Sequence, residues 1–182
     1  MSFNSKTESS APGFGTLLIA EDEVDIRDLL VELLAPVAAE ILVARDGKEA
    51  LQLVRSLRID AVLSDIKMPI MTGLQFLAEV RGSFDQTPVI ILTGQGDSAT
   101  IQEALRLDAT DFVEKPCDNK ILIESVRKAI AYGSAMRDFE AELDQLYAQS
   151  ALPADQIVRM KRTKRTVMGM KVGFSSYIKR TA

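Results

Sequence analysis

Ala61-Val62-Leu63-Ser64-Asp65-Ile66-Lys67-Met68-Pro69, closed by Gly73, is the stretch that decides the fold of this 182-residue chain. Its apolar start has the length and composition of a buried strand, and an amphipathic helix follows from near Leu74. Asp65 therefore stands at a strand end, in a loop fixed by Pro69 and Gly73. An aspartate in such a place caps or turns the chain about as often as it serves as a nucleophile or metal ligand. Three further stretches tip the balance.

Working outward, residues 16–20, 40–44, 60–64, 88–92 and 111–114 are short apolar runs, expected as strands buried on one or both faces. Between them lie helical stripes: Ile26, Leu29, Leu30, Leu33 and Leu34; Ala50, Leu51, Val54 and Leu57; Leu74, Phe76, Leu77 and Val80; Ile101, Ala104, Leu105 and Leu107. A fifth helix starts near Asp118. Strands alternating with helices predict an α/β fold, a doubly wound five-stranded parallel sheet, because the connections must be right-handed crossovers. In such sheets ligands bind beyond the carboxyl ends of the strands. That rule selects Glu21 and Asp22 after the first strand, Asp65 after the third, Thr93 after the fourth and Lys115 after the fifth.

Each has a bland alternative. An acidic pair caps a helix, a threonine closes a turn, a lysine is a solvated charge. Together, at four strand ends, they form what phosphoryl chemistry needs. An all-oxygen carboxylate cluster suits Mg²⁺. Asp65 can attack a phosphoryl group to give an acyl phosphate, and Lys115 and the Thr93 hydroxyl can hold its oxygens.

Residues 16–132 resemble the receiver domain of bacterial two-component response regulators. The resemblance rests on Glu21-Asp22, Asp65 with Met68-Pro69 and Gly73, Thr93, and Lys115-Pro116, and spans about two-thirds of the chain. It implies a flavodoxin-like sheet and a phosphoacceptor switch fed by a partner histidine kinase or phosphotransferase. Asp22, Asp65 and the main-chain carbonyl of Lys67 would bind Mg²⁺, with Glu21 acting through water. Phe112 matches the switch aromatic that turns inward as Thr93 moves; a simple core phenylalanine is the alternative. The implied role is signalling rather than enzymatic, with self-catalysed phosphotransfer and slow autodephosphorylation only. Asp108 departs from the pattern, standing where glycine is common, and Cys117 replaces an apolar or aromatic residue and is expected to pack.

Composition bounds the rest. No histidine occurs among the 182 residues, which removes Ser-His-Asp triads, histidine metal sites and phosphohistidine from this chain. A single cysteine and the lack of an apolar leader or long apolar run make a cytoplasmic setting the expectation. Residues 1–132 carry 13 Lys/Arg against 21 Asp/Glu, and residues 151–182 carry eight against one, so an acidic body precedes a basic tail.

Four parts are expected: a leader, 1–15; the receiver, 16–132; a C-terminal helical extension, 133–150; and a basic amphipathic tail, 151–182. Leu122, Val126, Ala129, Met136, Phe139, Leu143 and Leu146 extend one stripe to about residue 147, with Gly133 a weak point in it. Such a stripe needs a partner. A homodimer flanked by Glu140 and Asp144 is preferred to a fold-back on the chain's own domain. The tail suits a downstream protein partner. A membrane surface has no positive support, and nucleic acid has the least, for want of a reading motif. A DNA-binding regulator and a phosphorylation-independent scaffold are the alternative functions.

Overall fold

The computed structural model describes residues 15–83, 85–94, 98–149, 153, 155 and 156; the leader before Gly15 and nearly all of the expected tail lie outside the described residues. In chain order the elements are β1 (Thr16–Ala20), α1 (Val24–Leu34), β2 (Glu40–Ala44), α2 (Gly47–Ser56), β3 (Ala61–Asp65), α3 (Gly73–Gly82), β4 (Val89–Gly94), α4 (Ser98–Arg106), β5 (Asp111–Lys115) and α5 (Asn119–Ala148). All neighbouring strands are parallel, in the order β2-β1-β3-β4-β5. The doubly wound sheet is as expected; Asp65 and Lys115 close their strands rather than following them, and Thr93 lies inside β4, one residue before its end.

Two cores sandwich the sheet. Leu17, Ile19, Leu63, Ile90, Leu92 and Val113 meet Leu30 and Leu34 of α1 and Leu122, Val126 and Ile130 of α5. Leu18, Val62, Val89 and Ile91 meet α2, α3 and α4 through Leu51, Phe76 and Ala104. This is the period-two alternation of strands buried on both faces.

Local chemistry starts the helices where the strands deliver them. Asp46 accepts from Lys48 N at 2.8 Å and Glu49 N at 2.9 Å to cap α2. Thr72 and Gln75 form a capping box on α3. Asp118 caps α5 through Lys120 N at 2.8 Å. Asp108 takes the left-handed conformation (φ 59°) that glycine usually supplies, so the turn into β5 is kept. The half-buried Arg81 guanidinium pins that turn, donating to the Asp108 carbonyl at 3.1 and 3.2 Å and to the carbonyls of Asp85 and Thr87 at 2.9 Å each.

Helix α5 is not free beyond the sheet. Gly133 lies against the backbone of Asp60, just before β3, so closely that an added methyl would stand 2.7 Å from the Asp60 carbonyl carbon. One turn further, Arg137 forms an ion pair with the Asp60 carboxylate, which also accepts from Thr16 N at 2.7 Å. In sequence Gly133 reads as a weak point of a helix. In the structure it is the contact that lets the helix touch the domain.

A carboxylate cluster at the strand ends

Alternation decides which side chains meet. Glu21 continues the Leu17–Ile19 side of β1, Asp65 the Ala61–Leu63 side of β3, and Lys115 the Val113 side of β5, so all three carry the parity of the α1/α5 face. Strands β1 and β3 are direct neighbours, which brings the two carboxylates together. Lys115 reaches back past β4. Its ammonium donates to Asp65 Oδ1 at 2.7 Å and to Glu21 Oε2 at 2.8 Å. Carboxylate oxygens of Glu21, Asp22 and Asp65 all lie within 4.8 Å of one another.

The cluster is drier than its charge would suggest. Glu21 is 1% exposed and Asp65 8%. Burial pushes the Glu21 carboxyl above its usual range, offset only in part by Lys115. Burial alone would lower the Lys115 ammonium, yet its hydrogen bonds to Asp65 and Glu21 outweigh that and hold it above its ordinary value. One ammonium thus meets two of three carboxylates, and Glu21 still carries an unfavourable charge. An oxygen-only donor set with uncompensated negative charge fits a hard divalent cation.

The loop after β3 is held from several sides. Asp65 Oδ2 accepts from Lys67 N at 2.6 Å, and Ser64 Oγ donates to the Asp65 carbonyl at 2.9 Å. Gly73 N donates to the Ile66 carbonyl at 3.0 Å. A methyl on Gly73 would come within 2.9 Å of Ser64 Oγ and 3.0 Å of the Asp65 carbonyl carbon, so this position requires glycine. Ile70, at the loop's tip, adopts φ 66° and is 76% exposed.

The fold matches one family. The response regulator receiver domain matches residues 17–127, well over half of the chain. The chain belongs to that family. It is 34% identical over 131 residues to the Regulator of RpoS of Escherichia coli, covering 72% of this chain and 39% of that protein. It is 28% identical over 137 residues to the transcriptional regulatory protein FixJ of Bradyrhizobium diazoefficiens, covering 75% and 67%. Among solved structures, the signal receiver domain of an HD domain-containing protein from Pseudomonas fluorescens superposes with a TM-score of 0.65 at 28% identity, covering 73% of this chain and 98% of that one. The chemotaxis protein CheY4 of Vibrio cholerae gives 0.59 at 30% identity, covering 64% and 98%. The chain spans about two-fifths of the length of the first curated relatives it matches.

Receiver domains are signalling phosphoacceptors that work with histidine kinases and downstream targets, rather than enzymes in the ordinary sense. Of the residues singled out in sequence, Glu21, Asp22, Asp65 and Lys115 come together in this receiver. Lys67 contributes its main-chain N–H to Asp65. Thr93 is buried at the end of β4, on the parity of Val89 and Ile91, and so belongs to the opposite sheet face from Asp65. Phe112 pairs in register with Ile91 and packs half-buried on that same face. Cys117 packs half-buried beside the α1/α5 core. Sequence reasoning missed Asp60 and Arg137 at the far end of the sheet, and Arg27, which donates to the Glu21 carbonyl at 2.9 Å. Among the described residues no helix is long and apolar enough to cross a membrane.

Proposed function

We propose that the chain is a Mg²⁺-dependent phosphoacceptor switch in which Asp65 receives a phosphoryl group from a partner histidine kinase or phosphotransferase. The observation that carries this reading is the Lys115 ammonium shared between Asp65 and Glu21 inside a three-carboxylate cluster. Asp22 and Asp65, with the Lys67 main-chain carbonyl, would hold Mg²⁺ directly and Glu21 through water; bound there it supplies charge neutralisation.

In the transfer, an Asp65 carboxylate oxygen forms a bond to phosphorus as the bond from phosphorus to the donor's imidazole nitrogen breaks, and the imidazole leaves with the electron pair. Lys115 turns from the free carboxylate to the new phosphoryl oxygens, and Thr93 moves from its place on the other sheet face so that its hydroxyl donates to another. Attack of water on phosphorus later returns the carboxylate and inorganic phosphate, which is the slow autodephosphorylation. Movement of Thr93 frees space beside β4, and Phe112, on the same sheet face, follows it inward. That shift biases an existing equilibrium at the face of α4, β5 and α5. The four-part organisation, with 16–132 as receiver, and a downstream protein partner belong to the same proposal.

The test is phosphorylation by acetyl phosphate with Mg²⁺, followed by the mobility shift of phosphoprotein on a phosphate-affinity gel. Wild type should shift, Asp65→Asn should not, and chelation should abolish the shift. Normal labelling of Asp65→Asn would sink the assignment.

A further inference from the structure

Residues 21–23, between β1 and α1, carry two of the three cluster acids and hold themselves in place poorly. Glu23 stands just before α1 and gives that helix no side-chain cap. Its N–H meets Glu21 Oε1 only at 3.4 Å, long for a hydrogen bond. Glu21 N donates to the Ala44 carbonyl at 3.0 Å, which fixes the peptide before Glu21. The peptide after it is fixed by Arg27, whose Nη1 reaches back six residues and donates to the Glu21 carbonyl at 2.9 Å. A peptide is planar, so that carbonyl forms one rigid unit with the N and Cα of Asp22. Whatever holds the carbonyl sets the direction in which the Asp22 side chain leaves the backbone.

Helix α1 gives Arg27 a firm base for this contact. Its N–H donates to the Glu23 carbonyl at 2.9 Å, which places it at the start of the helix, where a long side chain leans toward the N-terminus. Leu30 and Leu34 of the same helix are buried against the sheet. Among the described residues the ion pairs of the cluster are made by Lys115, whereas the Arg27 guanidinium is aimed at the main chain. We propose that Arg27 is a positioning residue of the phosphoacceptor site: through the Glu21 carbonyl it holds the Asp22 carboxylate where Mg²⁺ would be bound. The inference rests on the reading of the cluster as a Mg²⁺ site.

Position and charge differ here in sign. As a bare cation beside a dication, Arg27 would repel Mg²⁺, and its removal would tighten binding. As a positioning residue, its removal loosens binding. Arg27→Met, which keeps a long side chain of similar helix propensity, decides between them. Mg²⁺ is titrated on the full chain without any phosphodonor, by the rise in Tm in circular dichroism, and again by the rate of acetyl phosphate labelling. Half-saturating Mg²⁺ should rise about tenfold in both titrations, the scale on which partners that orient metal ligands act. The labelling rate at saturating Mg²⁺ should stay near that of wild type. Arg27→Lys, which keeps a charged donor of shorter reach, should fall between the two, and it decides alone if Arg27→Met does not fold. Half-saturation unchanged or lowered in the variants overturns the proposal, even where Tm without Mg²⁺ has fallen, because that result describes a merely structural contact. A wild type that neither gains Tm with Mg²⁺ nor is labelled overturns the phosphoacceptor reading and this inference together. A normal wild type with unshifted variants overturns this inference alone.

Discussion

Replacing Gly133 by alanine sets helix propensity directly against the packing of α5. In a solvated helix the change stabilises by about 1 kcal/mol. Here the new methyl would stand 2.7 Å from the carbonyl carbon of Asp60 and 3.1 Å from its Cα. Relaxed carbon contacts lie at about 3.5–4.0 Å, so the helix must retreat by about 1 Å at this point. Overpacking of this kind costs about 1–3 kcal/mol. The retreat also draws Arg137 away from the Asp60 carboxylate, which is 1% exposed and would be left buried with a weakened partner. After subtracting the propensity gain, Gly133→Ala should destabilise the domain by about 2 kcal/mol, a fall in Tm of about 6–10 °C for a domain of this size. Thermal unfolding of the full chain followed by circular dichroism reads this, with Ala131→Gly at an exposed position of the same helix as the propensity control. A higher Tm for Gly133→Ala would mean that propensity alone governs the site and that the helix does not rest on Asp60.

Burial pushes the Asp60 carboxyl above its ordinary value of 3.8, so the native state binds its proton more tightly than the unfolded chain does. Its contribution is fully present below that value and is lost as pH rises through the native pKa. The stability of wild type relative to Asp60→Asn should therefore fall as pH rises from about 4, and a difference that rises or stays flat in urea titrations contradicts this. Ile70→Gly should raise stability by about 1 kcal/mol, because a β-branched residue at φ 66° is strained while glycine is not, and Ile70→Val should give no such gain. Lys115→Met leaves Glu21 and Asp65 without their shared ammonium and should cost about 2 kcal/mol at neutral pH without Mg²⁺. Millimolar Mg²⁺ should then raise the Tm of this variant more than that of wild type, and equal rises would speak against a cation at the cluster.

The strand-end cluster was legible because its logic is local. Each of Glu21, Asp65 and Lys115 stands at a strand end, and the parallel topology gathers strand ends whatever the intervening helices do. The five strands and the helix starts were legible for the same reason, since apolar period and capping chemistry act over a few residues. What escaped was long-range. Asp60 reads as one more loop aspartate, and only the path of α5 across the base of the sheet gives it Arg137 as a partner. Gly133 looks like a defect until the backbone it touches, 73 positions earlier, is in place. The single stripe read along α5 hid that Met136 lines a groove at the base of the domain with Gly133 and Arg137, while Leu146 stands exposed. Ile70 carries no sign in its side chain of the φ imposed by the loop that closes on Asp65.

The central claim, an acyl phosphate on Asp65, is tested most directly by locating it chemically. After acetyl phosphate and Mg²⁺, borohydride reduces an acyl phosphate to an alcohol, so a phosphorylated aspartate becomes homoserine. The tryptic peptide Ile59–Lys67 contains both Asp60 and Asp65, and fragment masses separate them. Homoserine at position 65, lost on chelation and in Asp65→Asn, is the result this account predicts. Homoserine at another carboxylate, or none in a chain that still shifts on a phosphate-affinity gel, would contradict it.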